Sequence, residues 1–591
     1  MPQQIIPITD LASAGLVLDT PAVSLPPNVF SDVNNVRFRN GSIKRFPSNV
    51  DKLTSLSNVK YIAYWPSTVG DRYVVITDNN TTCTFSVYDS SFNVINGIGG
   101  AYPVGNVTGG SWQHTLFNGG YHIIFNNGNS TPVFLQDDIT TVTQLPGWDS
   151  YAVEEEMTSF EHDGSAGSKV IKNSVFVAPT GSARIFIKIT ALPRNTASPI
   201  HTETVSINSA GTIFNGAGNA DSTLANIGTI SSVNFSSNQF SFTPDTSSGG
   251  TVYKAFVTTD PITVVTCGVV RSYGNLLVAG NLKETGGRTL TGTVRTSDVA
   301  APGVIPENWN PFKNGANTAD EFILASTGTI KDMAELQGVL YVYTDSSIHS
   351  IQQTSSPLIP FQIATVTNNY GVNNTDGVLE VDGKHIVYGS NDCYSFGGHP
   401  GSISSISGGR VRSFFRNGTT IKQVRFNKYD EIWFWSTSAI YVWNYRNNVW
   451  TKRDLPTGSI SANPSRDDLL FAAPTKVVGV DGSSFMDGAF LERQRLALTP
   501  EFDTESVAGM VLLFDGPSKA TITYDGTDKV GQSVDYSSKP SLNFDTTLNY
   551  KADVRFNGRF LNYKITNQTG EVTLDWDLSG YQIELSKGGF K

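Results

Sequence analysis

Short apolar runs separated by polar turns account for most of the chain, and long helical periodicities are almost missing. From residue 60 the runs are "KYIAYW", "DRYVVIT", "CTFSVYD" after the turn "DNNTT", and then "WQHTLF" and "YHIIFNNG" around "NGG". Each is a few residues long, rich in Val, Ile, Tyr, Phe and Thr, and bounded by Asn, Gly or Asp, which is the pattern of strands joined by tight turns. One unit then recurs. "LQGVLYVYTDSSIHSIQQ" (336–353), "VDGKHIVYGSNDCYSFGG" (381–398), "KYDEIWFWSTSAIYVWNY" (428–445) and "TKVVGVDGSSFMDG" (475–488) each place a polar turn, an apolar strand, a second turn and another strand in that order. "DRYVVITDNNTTCTFSVYD" (71–89) and "SYGNLLVAGN" (272–281) fit all or half of it. Such pairs are what the middle strands of propeller blades look like. About six blades are expected, or seven if 118–136 is counted.

The series is interrupted. Between 150 and 262, "SARIFIKIT", "TETVSIN", "NQFSFTPD" and "GTVYKAFVT" alternate apolar and polar positions, as strands buried on one face do. After 490, "AGMVLLFDG", "KATITYDG", "YKADVRFNGRFLNYKITN" and "EVTLDWDLSGYQIELSKGG" describe a further compact β unit. The expectation is an all-β chain, an interrupted β-propeller with an inserted β-sandwich-like domain and a C-terminal β domain. Its parts are an N-terminal docking segment and hairpin (1–59), first blades (60–149), insert (150–262), remaining blades (263–490) and C-terminal domain (491–591). Short helices are expected only near 152–160 and 485–494.

Composition narrows function. Charged residues are 16% of the chain and the net charge is −10, which argues against a general nucleic-acid binder but suits a passage that DNA must not adhere to. Cys83, Cys267 and Cys393 are far apart and odd in number, which points to buried free thiols rather than a disulfide or metal framework. No apolar run reaches spanning length, and "MPQQIIPITD" has no basic and apolar leader, so neither a spanning helix nor a signal peptide is expected.

Candidate chemistry is thin. The seven histidines have no ligand spacing, and neighbouring residues in "EHD" (161–163) point in different directions. The Gly-rich stretches do not open helices, no GxSxG elbow or calcium loop occurs, and pairs such as Asp467/Asp468 and Asp503/Glu505 are too common to indicate a glycosidase. No catalytic residue, metal or cofactor is expected. The aromatic run "EIWFWSTSAIYVWNYRNNVW" fits packing between blades better than a sugar platform.

Four stretches carry a resemblance. "LPPNVFSDVNNVRFRNGSIKRF" (25–46), "VRTSDVAAPGVIPENWNPF" (294–312), the blade stretches "NDCYSFGG" and "YDEIWFWSTSAIYVWNYRNNVWTKRDLP", and "VRFNGRFLNYKI…DWDLSGYQIELSKGGFK" occur in that order. Together they resemble the tail nozzle proteins of short-tailed bacteriophages, also called tail tubular protein B, and the related tail-accessory "stabilisation" proteins. The resemblance implies a structural virion component rather than an enzyme, made in the host cytoplasm. It would form a hexameric conduit below the portal and adaptor (head-to-tail connector) that retains DNA and then channels it, without sequence-specific binding, at ejection into the host envelope. Tail fibres or spikes would dock on it. Under this reading Arg37, Arg39 and Arg559 are anchors at subunit or domain contacts, and Arg295 and Asp298 form a local ion pair. Residues 34–46, "NNVRFRNGSIKRF", read as a hairpin about Asn40-Gly41. A glycan-binding protein or an envelope polysaccharide hydrolase on a propeller is the alternative.

Overall fold

A computed structural model of the chain describes residues 4–586 apart from 14, 80, 104–109, 138, 149–154, 164–166, 175, 180–183, 193–200, 216–218, 226, 246–250, 260–264, 285–288, 310–317, 326–327, 355–360, 417–419, 438 and 500–502. Strands dominate it, and α-helix among these residues is confined to Arg412–Arg416.

The recurring units build a β-propeller of seven four-stranded antiparallel blades, one more than the about six expected. Blade one runs Val59–Ser67, Gly70–Asp78, Cys83–Asp89 and Val94–Ala101, and blade two Gln113–Phe117, His122–Asn126, Val133–Gln136 and Ile139–Gln144. A single parallel bridge, Thr141 to Gly99, joins their outer strands. Blade three begins at Val265–Tyr273, blade four at Ile330–Leu336, blade five at Val378–Val381 and blade six at Lys422–Phe426. Blade seven has three strands of its own, Ser461–Pro464, Leu469–Ala473 and Lys476–Gly479; its fourth is Val50–Leu53, from near the start of the chain. The first strand of each blade lies beside that of the next, and blade seven returns to blade one, so the ring is closed. Large side chains fill the space between blades. Trp433, Trp435 and Val442 of blade six pack on Phe471 and Leu469 of blade seven, which is the packing role expected for the aromatic run.

The insert is a two-layer sandwich with its own core. One sheet contains Glu155–Glu161, Val252–Thr259, Arg184–Leu192, His201–Asn208 and Ile213–Phe214; the other contains Lys169–Lys172, Gln239–Pro244, Gly228–Asn234 and Thr223–Leu224. In Arg184–Leu192 every second residue is buried, so Ile185, Ile187 and Ile189 meet Phe240 and Phe242 from the opposite sheet. Neither expected helix forms in the described residues. Residues 152–154 lie outside them, and Glu155–Glu161 pairs antiparallel with Val252–Thr259. Phe490–Ala497 is a strand between Asp32–Asn34 and Phe560–Asn567. The helix-forming "LERQ" there is overridden by two strand partners and a bulge after Arg493.

The N-terminal residues do not form a separate docking segment. Val36–Arg39 and Ser42–Arg45 make a hairpin turning at Asn40 and Gly41, both left-handed at φ 53° and 82°, as a two-residue type I′ turn requires. The hairpin joins the C-terminal sheet through Ile43 and Leu578, while Gln4–Thr9 pairs along Leu578–Ser586 and Asp32–Asn34 joins the second C-terminal sheet. The C-terminal body is therefore a sandwich made from both ends of the chain. Its core continues without a break into Ile432, Phe434 and Trp450 of blade six.

Candidate functional site

Two polar constellations emerge, one at the seam between the C-terminal body and the propeller, the other at the propeller centre. At the seam, Arg37 projects from the hairpin onto blade six. Its Nε and Nη2 donate to the two oxygens of Glu431 at 2.6 and 3.2 Å, and its guanidinium lies 3.6 Å from the Tyr429 ring centre and 4.5 Å from that of Phe46. Trp433 Nε1 donates to the same carboxylate at 2.9 Å. The Arg39 guanidinium lies 5.0 Å from the same Tyr429 ring centre, so both residues make contacts between the hairpin and blade six within one chain.

Three further arginines fasten the N-terminal residues, Arg45 and Arg493 within the C-terminal body and Arg453 from blade six. Arg45 donates to the carbonyls of Leu574, Met486 and Glu571, and its own N–H donates to Asp575 at 2.8 Å. Arg453 donates to the Pro47 carbonyl and Asn49 Oδ1, both at 2.9 Å. Burial, and after it the nearby Arg37 charge, pulls the Arg453 guanidinium below its usual value. Arg493 donates to the Ala22 and Leu25 carbonyls at 2.7 and 2.6 Å, and Tyr581 Oη donates to the Pro27 carbonyl at 2.9 Å. The Leu-Pro-Pro turn is thus fastened through its carbonyls, which prolines leave available.

The other expected residues are placed differently. Arg295 does not pair with Asp298. It sits directly across the strand pair from Glu321 and donates to that carboxylate at 2.9 and 2.6 Å. Asp298 lies beyond the end of the strand and accepts from Asn308 Nδ2, from the Thr318 hydroxyl and from the N–H groups of Thr318 and Ala319. Burial acts to raise Asp298, and these hydrogen bonds outweigh it and hold the carboxyl below its usual value. Arg559 is exposed, and its backbone N–H donates to Asp528 at 3.3 Å.

At the propeller centre the first strands converge on a cavity of about 350 Å³, lined by Tyr61, His114, Arg271, Asp376, Lys422, Gln423, Trp435 and Asn463 among others. Arg271 spans four blades. It donates to Gln113 at 2.6 Å, Asp332 at 2.7 Å and Asp376 at 2.8 Å. Tyr61 Oη meets His114 Nδ1 at 2.8 Å and accepts from Asn463 Nδ2 at 3.3 Å. Burial, and secondarily the Arg271 charge, pushes His114 down to about 4, so the imidazole is neutral at pH 7. Burial pushes Asp332 up against the pull of Arg271. No single motif announces this centre, because each blade contributes one or two polar residues. A larger opening of about 520 Å³ between blades five and six is lined by Asp382, Arg410, Trp443 and Tyr445. Among the described residues no three His, Cys, Asp or Glu side chains could hold a metal, and all three cysteines are free and buried.

No family model and no curated protein matches the chain. Among solved structures, BamB from Moraxella catarrhalis is similar at 9% identity, with 74% of this chain and 96% of that one covered and a TM-score of 0.32. AztD from Citrobacter koseri is similar at 10% identity, covering 72% and 90%, with a TM-score of 0.27. Likeness at this level says nothing about activity or partners.

Proposed function

We propose that the chain is a structural component of a short-tailed phage tail, assembling as a hexameric nozzle below the portal and adaptor. It retains and then conducts DNA, and it offers docking surfaces to tail fibres or spikes. One observation carries the reading. Three stretches that bear the family resemblance, from residues 25–46, 429–456 and 554–586, are well separated along the chain yet interlock as one body. The hairpin of the first clasps Glu431 of the second and pairs with Leu578 of the third. A resemblance spread over such interlocked surfaces is what an assembly scaffold needs. The net charge of −10 suits a wall that DNA slides past, because a basic wall would bind phosphates by releasing counterions. Purified protein should form rings of about six copies by mass measurement and negative-stain imaging. A monomer that never forms rings, in virions lacking tail density attributable to it, overturns the reading.

A further inference from the structure

The C-terminal body carries an exposed apolar knob on one edge and an apolar groove on the other. Its two sheets run in matching order. Leu542–Asp545 and Phe556–Gly558 form one edge, while Gln4–Thr9 and the pair Asp32–Asn34 with Phe490–Ala497 form the opposite one. Tyr563 Oη donates across the sandwich to Tyr581 at 2.6 Å, and Phe514 packs on Phe544, so the sheets face each other in that order.

At the first edge residues 546–551 cross from one sheet to the other as a fixed loop. The Thr547 N–H donates to Asp545 Oδ1 at 2.9 Å, and the Leu548 and Asn549 N–H groups donate to the Asp545 carbonyl at 2.9 Å. The Asp545 N–H donates in return to Asn549 Oδ1 at 2.8 Å. This loop holds Leu548 and Tyr550 at 83% and 78% exposure, more than any other large apolar side chain among the described residues. A single exposed leucine needs no partner, but two large apolar side chains on one fixed tip form a knob.

At the opposite edge the sandwich is open, because Asp32–Asn34 pairs with Phe490–Ala497 only as far as Glu492. The opening is a groove of about 340 Å³, lined chiefly by Ile6, Ile8, Val23, Leu25, Leu496 and Leu498. Charge is complementary as well. On the groove side, residues 4–30 hold the exposed Asp10 and Asp19 and no lysine or arginine. Asp503, also exposed, donates its N–H to the groove residue Thr499 at 3.2 Å. On the knob side, residues 546–559 hold Lys551, Arg555 and Arg559 against the single acid Asp553.

We propose that copies of this chain join head-to-tail, Leu548 and Tyr550 of one entering the groove between Gln4–Thr9 and residues 496–498 of the next. A knob and a groove on opposite edges cannot both be used in one two-fold pair; they repeat from copy to copy until a ring closes. The contact buries the two apolar side chains and brings the basic edge of one copy to the acidic edge of its neighbour. A membrane or an unrelated protein would cover one feature and leave the other bare. This interface rests on the ring assembly proposed above and supplies its contact.

Two full-length variants test it, with mass measurement and negative-stain imaging across a concentration series. Leu548→Glu with Tyr550→Glu removes the knob, and Val23→Glu blocks the groove. Each should raise the concentration needed for half-assembly of rings at least about tenfold. Mixed in equal amounts, the two should form dimers and no rings, because one intact knob then meets one intact groove. Both loop side chains are exposed, so the loop variant should melt with the wild type, and it decides alone if Val23→Glu fails to fold. Rings at the wild-type concentration in the loop variant, or anything but dimers in the mixture, would overturn this interface and leave the tail reading standing. A wild type that stays monomeric at about 100 µM would overturn both.

Discussion

The Arg37–Glu431 pair should be the strongest single contact between the C-terminal body and the propeller. Both side chains are almost fully buried, at 6% and 1% exposure, and two hydrogen bonds join them. Arg37→Met leaves the Glu431 carboxylate buried with the Trp433 N–H as its remaining donor at that point. Glu431→Gln leaves a guanidinium between Tyr429 and Phe46 without its counter-charge. Removing one member of a buried pair costs about 3–5 kcal/mol, because the partner's desolvation is no longer compensated. The double variant removes both charges and should cost clearly less than the sum, giving a coupling of about 2 kcal/mol or more. Urea unfolding followed by tryptophan emission measures all four corners of the cycle, and Trp433 reports the seam directly. Single-variant losses below about 1 kcal/mol, or additivity within about 0.5 kcal/mol, would refute the view that this seam is held by a coupled ion pair.

A second expectation concerns pH. His114 titrates near 4 in the folded chain and near 6.5 unfolded, so the unfolded chain takes up more protons and stability falls as pH drops from 6.5 toward 4. This loss amounts to about 2 kcal/mol at pH 5; since Asp332, raised by burial, acts with the opposite sign, the comparison is with His114→Asn at pH 7 and pH 5, and an unchanged stability difference would count against a neutral buried imidazole. Third, burial pushes the Cys83 thiol up to about 12 and raises Cys267 and Cys393 as well, so none should react with a thiol reagent until urea is added; stoichiometric labelling of the native chain within minutes contradicts this. Fourth, deleting residues 1–53 removes the outer strand of blade seven and four strands of the C-terminal body, and should yield aggregated or protease-sensitive protein. A truncated chain that melts cooperatively at the wild-type temperature would show those strands to be dispensable.

What the sequence disclosed was local. Alternation over "RIFIKIT" places Ile185, Ile187 and Ile189 on one face, and Asn40-Gly41 specifies its turn by the two left-handed residues it needs. Partners distant in the chain left no such trace. Val50–Leu53 is exposed or half-buried at every position, so nothing in its pattern indicates that it closes a blade more than four hundred residues away. The count stops at about six unless 118–136 is included, and that stretch holds His122–Asn126 and Val133–Gln136, the middle strands of blade two. Arg295 was matched to Asp298 by closeness in sequence, but side chains on strands find the residue directly across the ladder, here Glu321.

The same rule explains why the central site was not legible. Tyr61, His114, Arg271, Asp332, Gln423 and Asn463 each occupy the first strand of a different blade, where a lone polar residue reads as an interruption in an apolar run. Closure of the ring brings them together, and closure depends on Val50–Leu53 completing blade seven. The N-terminal residues therefore serve two bodies at once. Residues 4–45 complete the C-terminal sandwich, residues 50–53 lock the propeller, and Arg453, holding Pro47 and Asn49, fixes the short link between them. Because one strap completes both, loosening the seam at Arg37 should also loosen the propeller centre, and in a Glu431→Gln chain the backbone amides of the first strands around that centre should exchange hydrogen faster than in the wild type.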